Sequence, residues 1–415
     1  MPRLVCAFAA FLLISCPAMA QDTASPPQMD LLDLWRAIRH KPPQTDEEPQ
    51  GRMIAAVPVI SRNPTFGLQF GFAAQVAFVA GDPATTRISS SVNSLTFSSQ
   101  GYIFGNVKFN VYTRDSTWMI EGDNRAYRAG EGVYGLGTSS PSSTALGANY
   151  SFLRIHDTVL RRVRGPLYLG GGLLFDSHSH IRPATATEEE WNAGPFIAYS
   201  QEHGLPTGSQ QSAGLSANVL VDRRVGEIDP RSGWMAQGWY RVSFSGFLSG
   251  DSSWQLAHLE YRAYVPLGAQ ARSAPESGKA GVPARHRLTF WTFTDLTTTG
   301  APPYFELPST VSDVYGRSSR AYQQGRYRGE KLIYGEAEYR QMLTRNGLLG
   351  MVVFANAATF TNLSTGERLF DSVAPAAGAG LRVLFNKRSR TNLCVDGAFG
   401  KDGAKGLYLA IQDAF

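Results

Sequence analysis

The sequence predicts an all-β protein: a transmembrane antiparallel β-barrel of about 16 strands. Three observations predict this fold class. The chain begins with an export signal, it then lacks an apolar run of the roughly 18 residues that a spanning helix needs, and many segments alternate apolar with polar residues. Export without helical spans, combined with a period of two, is typical of the outer membrane of Gram-negative bacteria.

Residues 1–20 are predicted to be a signal peptide. Arg3 supplies the positive charge, the stretch LVCAFAAFLLIS is the apolar region, and AMA, ending at Ala20, is the small-residue cleavage site. Cys16 offers an alternative lipoprotein cleavage site, which Pro17 at the next position disfavours.

Residues 21–51 are predicted to be a periplasmic N-terminal segment with a short amphipathic helix. Within it, Leu32, Trp35 and Ile38 have helical spacing, and Pro42 follows as a stop signal. Three roles stay open for this helix: a plug in the lumen, a helix on the inner leaflet, or a transient helix in a linker.

Composition restricts the partners. The 415 residues carry a formal net charge of +5, with acids and bases interspersed, so no basic patch for nucleic acid is predicted. After signal removal Cys394 is the only cysteine, which excludes an intramolecular disulfide and a cysteine-rich metal site. Outer-membrane lipid is the predicted partner, and nucleic acid is not.

The stretch TFGLQFGFAAQVAFV (65–79) shows the alternation clearly. Its large apolar residues fall on one face of a strand, and Gly, Ala and Gln fall on the other, as a strand between lipid and lumen requires. The residues predicted to face lipid are Phe66, Leu68, Phe70, Phe72, Val76 and Phe78.

Turn residues divide the chain into about sixteen such segments, which predict a barrel over residues 52–415. Their predicted starts lie near residues 52, 66, 87, 102, 117, 150, 166, 215, 234, 254, 287, 331, 348, 378, 391 and 407. With the N-terminus in the periplasm, the long external connections are 128–147, 179–212, 297–330 and 361–373. One long connection, 268–285, falls on the periplasmic side.

The last segment also alternates and ends on an aromatic residue. Leu409, Ile411 and Phe415 are predicted to face lipid, although Asp413 interrupts the apolar row. A terminal Phe on such a strand is similar to the C-terminal signal that the barrel-insertion machinery of Gram-negative bacteria reads. That machinery is therefore an expected partner during biogenesis.

A charged segment, RAYQQGRYRGEKLIYGEAEYR (320–340), stands out in a chain built for lipid. Alternation predicts that Glu336, Glu338 and Arg340 face the lumen, because a basic residue at the midplane of the lipid face costs about 2–4 kcal/mol. If the preceding arginine-rich stretch folds inside, its guanidinium groups can bond to these carboxylates.

Several motifs together resemble one family: the barrels of bacterial outer-membrane assembly factors of the BamA and TamA type, also called the surface-antigen superfamily. The motifs are RAYQQGRYRG (320–329), GEAEYRQML (335–343), VDRRVGEIDPRSGW (221–234) and GLYLAIQDAF (406–415). The resemblance covers about 52–415 and is to the short branch without the periplasmic polypeptide-transport-associated repeats. It implies sixteen strands and an inward-turned sixth external loop.

The resemblance further implies that the tip of this loop is locked inside the barrel. Two positions depart from the family: Ala321 replaces a glycine, and Asn356 stands where an aspartate would receive the arginine. Glu336 or Glu338 would then supply the anion. The residues expected to form the loop lock and line the lumen are Arg320, Tyr322, Gly325, Arg326, Arg328, Gly329, Glu336, Glu338, Arg340 and Asn356.

Enzymatic motifs are missing from the sequence. It contains no G-x-S-x-G, P-loop or H-E-x-x-H pattern, so no catalytic residue is assigned and no cofactor is expected. Asp176, His178 and His180 are predicted to share one strand face, as in a divalent-metal site. The simpler interpretation is polar residues at the base of a loop, and no metal site is assigned.

By resemblance, the expected function is to assist the insertion or translocation of proteins or lipids at the outer membrane, with client proteins as partners. A porin-like channel for small solutes is the alternative, because charged inward rows suit it equally well. A membrane-embedded hydrolase is the least favoured, since the histidines have no matching serine or aspartate partner in the sequence.

Overall fold

A computed structural model of the protein describes residues 28–42, 53–63, 65–226, 229–268, 285–387, 390–411, 413 and 415. Sixteen antiparallel strands form one sheet, and each strand pairs with its neighbours in sequence, which confirms the predicted fold class and strand number. The strands are β1 Met53–Asn63, β2 Gly67–Phe78, β3 Ser89–Ser98, β4 Ile103–Tyr112, β5 Trp118–Val133, β6 Leu146–Arg164, β7 Leu167–Pro183, β8 Ser209–Asp222, β9 Gly233–Ser243, β10 Trp254–Leu267, β11 His286–Thr299, β12 Lys331–Met342, β13 Leu349–Phe360, β14 Ala374–Asn386, β15 Thr391–Gly400 and β16 Lys405–Ile411.

The lengths of the connections distinguish the external end of the barrel from the periplasmic end. The long connections at the external end cover 134–145, 184–208, 300–330 and 361–373, close to their predicted positions. The second of these contains two helices, α2 (Glu188–Asn192) and α3 (Pro195–Glu202). The predicted signal peptide and nearly all of the predicted periplasmic connection 268–285 lie outside the described residues.

Side chains alternate between the outer face and the lumen as the sequence pattern predicts. On β2, Phe72 is 73% exposed on the outer face, whereas Gln69 faces inward and accepts a hydrogen bond from Ser61 Oγ. The serine-rich β3 keeps regular pairing with both neighbours, because inward-facing Ser94 accepts a hydrogen bond from the Asn106 side chain.

Phe66 does not face lipid as predicted. Gly67 has a φ of +71°, which ends the alternation, and β2 begins only at that residue. The Phe66 ring therefore turns inward, where its centroid lies 4.7 Å from that of Phe104.

The C-terminal residues also depart from the prediction. Strand β16 ends at Ile411, and Phe415 is 7% exposed inside the barrel, with its ring centroid 5.1 Å from Trp291. Its carbonyl oxygen accepts a hydrogen bond from Arg340. An extended strand would direct Asp413 to lipid, and the inward turn instead pairs it with Arg382 at 2.5 Å.

Ahead of β1 the described residues form one helix, α1 (Leu31–Ile38), which docks on the periplasmic turn after β14. The backbone N–H of Lys387 donates to the Asp30 side chain at 2.7 Å, and Lys387 Nζ pairs with Asp33 at 3.0 Å. The apolar residues Trp35 and Ile38 are 53% and 72% exposed. None of the helices in the described ranges is long and apolar enough to span a membrane.

Candidate functional site: the inward loop and the seam

The connection between β11 and β12, residues 300–330, lies inside the barrel, and we call it the inward loop. At one wall its Val314 carbonyl accepts a hydrogen bond from Arg125 of β5 at 2.9 Å. At the opposite wall its Arg320 pairs with Asp396 of β15 at 2.9 Å. The inward loop thus crosses the lumen from wall to wall.

Arg320 of the inward loop pairs with three carboxylates, and it is 1% exposed. Its Nη1 donates to Asp396, its Nη2 donates to both Glu336 and Glu338, and its guanidinium stacks on Phe354. Burial alone would lower the pKa of Arg320, but the adjacent carboxylates raise it well above its ordinary value. The guanidinium is therefore permanently charged.

Two further arginines extend this contact into a network. Arg340 pairs with Glu338 at 2.6 Å, and Arg382 pairs with both Asp396 and Asp413 at 2.5 Å. Buried charges are tolerated when each is paired and hydrogen-bonded. The arginine network, as we call it, consists of Arg320, Arg340, Arg382, Glu336, Glu338, Asp396 and Asp413.

The two positions that depart from the family pattern contact the backbone of the loop tip. Asn356 Nδ2 donates to the Arg320 carbonyl at 3.4 Å, so Asn356 contacts the backbone rather than the guanidinium. Ala321 has a φ of +106°, a conformation that favours glycine, and its N–H donates to the Tyr408 hydroxyl at 2.9 Å. The carboxylates on β12 and β15 therefore replace the missing aspartate.

The other two loop arginines have different partners. Arg328 Nη2 pairs with Glu131 of β5 at 2.7 Å, and its Nη1 donates to the Tyr304 carbonyl. Arg326 donates to the Ser140 carbonyl at 3.0 Å, and its guanidinium lies 4.1 Å from the Tyr327 ring centroid. Arg328 thus has the expected carboxylate partner, whereas the described contacts of Arg326 are to the carbonyl and hydroxyl oxygens of Ser140 and to aromatic rings.

The remaining predicted loop residues occupy tight positions. The Tyr322 hydroxyl donates to the Pro375 carbonyl at 2.6 Å. A Cβ on Gly325, whose φ is +69°, would lie 2.8 Å from Arg328 Nη2, and one on Gly329 would lie 2.2 Å from the Thr361 carbonyl oxygen. Both positions require glycine for close packing.

The inward loop also contacts both sides of the seam where β1 and β16 meet. Arg317 Nη2 donates to the Ile411 carbonyl of β16 at 3.1 Å, next to the Ala321–Tyr408 hydrogen bond. On the other side the Gln324 N–H donates to Thr65 Oγ1, between β1 and β2, at 2.8 Å. Some Cα atoms of β1 lie within 8 Å of Cα atoms of β16. In the described strands, however, each hydrogen-bonded ladder joins neighbours in sequence, and none joins β1 to β16.

A second buried charge cluster lies under the external end of the barrel. Asp176 pairs with Arg154 at 2.6 Å and with Arg241 at 2.8 Å, and Arg241 also approaches Glu306 of the inward loop at 3.4 Å. Burial raises the pKa of Glu306 to about 8, and the neighbouring Asp176 adds to the rise.

This cluster corrects the alternative metal interpretation of Asp176, His178 and His180. His180 has a φ of +55°, so the alternation breaks there and the side chain is exposed, whereas Asp176 and His178 are buried. Asp176 instead neutralises arginines. Across the part of the chain that the structure describes, no group of three or more His, Cys, Asp or Glu residues is placed to hold a metal.

The raised pKa of Glu306 predicts that the stability of the inward loop in its docked position depends on pH. Because its pKa is raised to about 8, the stabilisation from its neutral form is complete below about pH 4.5 and is lost as pH rises to about 8. Each pH unit in that range is worth about 1.4 kcal/mol at most. We expect Glu306→Gln to remove this dependence, so that the opening free energy of the loop amides, measured by hydrogen exchange and corrected for the intrinsic exchange rate, stays constant between about pH 5 and about pH 8. The exposed Glu188→Gln is the control, and equal pH dependence in both variants would contradict the assignment.

Comparison with known proteins gives the family. A family model described as the Omp85 superfamily domain matches residues 108–387, more than half of the chain. The chain belongs to the Omp85 superfamily. It is an outer-membrane β-barrel of the Omp85 type.

Solved structures show the same fold. BamA from Haemophilus ducreyi, lacking POTRA domains 1–3, is similar with a TM-score of 0.55 and 14% identity over 88% of this chain and 71% of that chain. CdiB from Acinetobacter baumannii is similar with a TM-score of 0.53 and 10% identity over 87% of this chain and 59% of that chain. No curated protein matches significantly. At these identities the likeness to the Omp85 structures shows the fold alone.

The sequence did not identify several partners of this Omp85 loop. The pairing of Asp396 with Arg320 was not predicted. Thr65, between β1 and β2, and Glu131 of β5 lie 259 and 197 residues away in sequence from the loop residues that they contact. The only sequence evidence for Glu131 is its position in the alternation of β5, which directs it to the lumen but does not identify its partner.

Proposed function

We propose that this barrel assists the insertion or translocation of proteins or lipids at the outer membrane by opening the seam between β1 and β16. The observation that carries the proposal is the structure of the seam. In the described residues no ladder pairs β1 with β16, and the inward loop donates hydrogen bonds to both sides of the seam.

The seam is a physically reasonable place for a client strand. Unpaired backbone groups at a strand edge are a template for β-augmentation, and they are costly in hydrocarbon unless another strand satisfies them. Strand β16 has 7 residues, fewer than the 11 of β1, so part of the β1 edge extends past it. Membership of the Omp85 superfamily and likeness to the BamA and CdiB barrels support the proposal.

The inward loop would regulate this opening. Separating β16 from β1 requires loss of the Arg317–Ile411 and Ala321–Tyr408 hydrogen bonds on one side, or of the Gln324–Thr65 bond on the other. Each hydrogen bond contributes only about 0.5–1.5 kcal/mol, so the loop can release one side without unfolding. The more strongly bound Arg320 would keep the rest of the loop in place.

Locking the seam tests the proposal. We would place one cysteine on β1 and one on β16 in a Cys394→Ala background, choosing pairs that cross-link on a non-reducing gel. The cross-linked barrel in liposomes should lose its ability to accelerate the folding of an added, unfolded eight-stranded barrel, and reduction should restore it. The matched control is Phe70→Cys with Phe97→Cys, which joins an already paired ladder on the outer face. Full activity of the cross-linked seam would contradict the proposal.

A porin-like channel is the second candidate, and the charged lumen is the observation that favours it. The arginine network and the Asp176 cluster line the interior with buried ion pairs. The inward loop crosses this interior between β5 and β15. A channel function would therefore require movement of the loop, which conductance can measure.

A further inference from the structure

The outer face of the barrel carries polar side chains where lipid is expected. Three of them are Asn93 on β3, Asn124 on β5 and Asp157 on β6. Each lies two residues from an exposed residue of its own strand, Leu95, Ala126 or Val159, and therefore on the same outward face. Asp157 lies between Ile155 and Val159, both exposed apolar residues, so it sits within the apolar belt. Polar and ionisable groups on a lipid face are costly and are functional sites by default.

Two hydrogen-bonded pairs lie among these side chains. Asn124 Nδ2 donates to Asp157 Oδ1 at 3.1 Å, and Asn93 Nδ2 donates to Ser91 Oγ at 3.0 Å. The Asn124 Oδ1 atom is buried and has no hydrogen-bond partner within the described ranges. The Asp157 carboxylate has further acceptor sites beside the one that Asn124 occupies, which suits a ligand that donates hydrogen bonds.

A groove of about 520 Å³ surrounds this cluster on the outer face. A diagonal row of small residues makes room for it: Ala56 of β1 pairs with Ala74 of β2, and Gly105 of β4 pairs with Ala126 of β5. The large outward side chains that border the groove are Phe72, Leu95, Val107, Leu153 and Ile155. The groove therefore crosses the strands from β6 to the seam strand β1.

The charge beside the groove restricts the chemical class of the ligand. The outward carboxylate of Asp157 lies beside the groove, because it accepts a hydrogen bond from the groove-lining Asn124. Arg125 and Arg154 contribute to the wall, but their guanidinium groups point inward and pair with Asp123 and Asp176. A carboxylate with amide oxygens attracts a cationic donor and repels an anion.

We propose that this groove binds one phospholipid whose head group carries a primary ammonium, with an acyl chain along the row of small residues. The ammonium donates to the Asp157 carboxylate, beside Asn124. A choline head group has no N–H to donate, and a glycerol head group leaves a net negative phosphate beside Asp157. Such a lipid would hold a head group below its normal depth at β6, with its acyl chain directed toward the seam strand β1.

Native mass spectrometry of the detergent-solubilised full chain tests this inference directly. The barrel is titrated with phosphatidylethanolamine, phosphatidylcholine and phosphatidylglycerol of identical acyl chains. We expect one ethanolamine lipid to bind preferentially, and Asp157→Asn to weaken it about tenfold, the effect of one charge-assisted hydrogen bond. Asp157→Leu with Asn124→Leu should abolish the preference, whereas the outward Tyr261→Leu on β10 should leave it unchanged.

Folding of each variant is followed by heat-modifiable gel mobility. Leucine on the outer face relieves the cost of polar groups in lipid, so the double variant should fold and should denature at a temperature equal to or above that of the parent. Equal affinity for the three lipids, a preference for the anionic lipid, or retention of the preference in the double variant would each overturn the inference. So would cross-linking of a photoreactive residue at position 126 to a polypeptide instead of lipid. None of these readouts depends on insertion activity.

Discussion

Replacement of Arg320 by methionine is expected to lower the free energy of unfolding of the barrel by about 3–5 kcal/mol, which is the usual cost of removing one partner of a buried ion pair. The methionine fills similar volume but leaves Glu336, Glu338 and Asp396 without the guanidinium that they share. Arg340 and Arg382 would then face four carboxylates alone. Urea unfolding in detergent, followed by heat-modifiable mobility, measures the loss.

Two variants separate lost charge from lost geometry. Arg320→Lys keeps the charge but replaces a planar fork by a single ammonium, so we expect an intermediate loss. Adding Glu338→Gln to Arg320→Met removes one unpaired carboxylate and should recover part of the stability. The exposed Arg128→Met is the control for loss of an arginine. If Arg320→Met unfolds at the same urea concentration as Arg128→Met, the arginine network does not stabilise the barrel.

The barrel wall could be predicted from the sequence because the period of two is a local property. Lipid imposes apolar residues at every second position of each strand, so Leu68 or Val395 can be assigned from neighbours alone. The prediction is wrong where a backbone exception interrupts the period. Gly67 and His180 both have a positive φ; the break at Gly67 turns the preceding Phe66 inward, the break at His180 turns His180 outward, and neither exception could be seen in the alternation itself.

The contents of the lumen were harder to predict, because partners there are distant in sequence. Alternation correctly placed Glu336 and Glu338 inside, but it cannot show that Arg320 also reaches Asp396, 76 residues away. The same limit applies to Phe415, which a strand pattern extends into lipid and which the structure turns inward onto Trp291. A role for Leu409, Ile411 and Phe415 as an insertion signal remains a prediction.

Deletion of residues 310–328 is expected to convert a nearly closed, flickering barrel into a steadily open channel. The deleted segment includes Val314 and Arg320, the two ends of the span across the lumen. The new ends are already adjacent, since the Gly329 N–H donates to the Pro308 carbonyl at 3.0 Å, so Ser309 can be joined to Gly329 without moving the barrel wall. Planar-bilayer recordings of both proteins measure the change.

The deletion also removes a positive charge from the arginine network, which could destabilise the wall and mimic opening. We therefore add Glu338→Gln to the deletion, because two arginines then face three carboxylates and the network keeps the net charge of −1 that its three arginines and four carboxylates have in the parent. The matched control deletes 363–366, an exposed tip whose flanking residues Asn362 and Glu367 already form a bridge. An open deletion variant beside a closed parent and a closed control is the result expected of a plugged barrel. A steady open level in the parent itself would exclude the plug and favour a porin, because conduction would then need no movement of the inward loop.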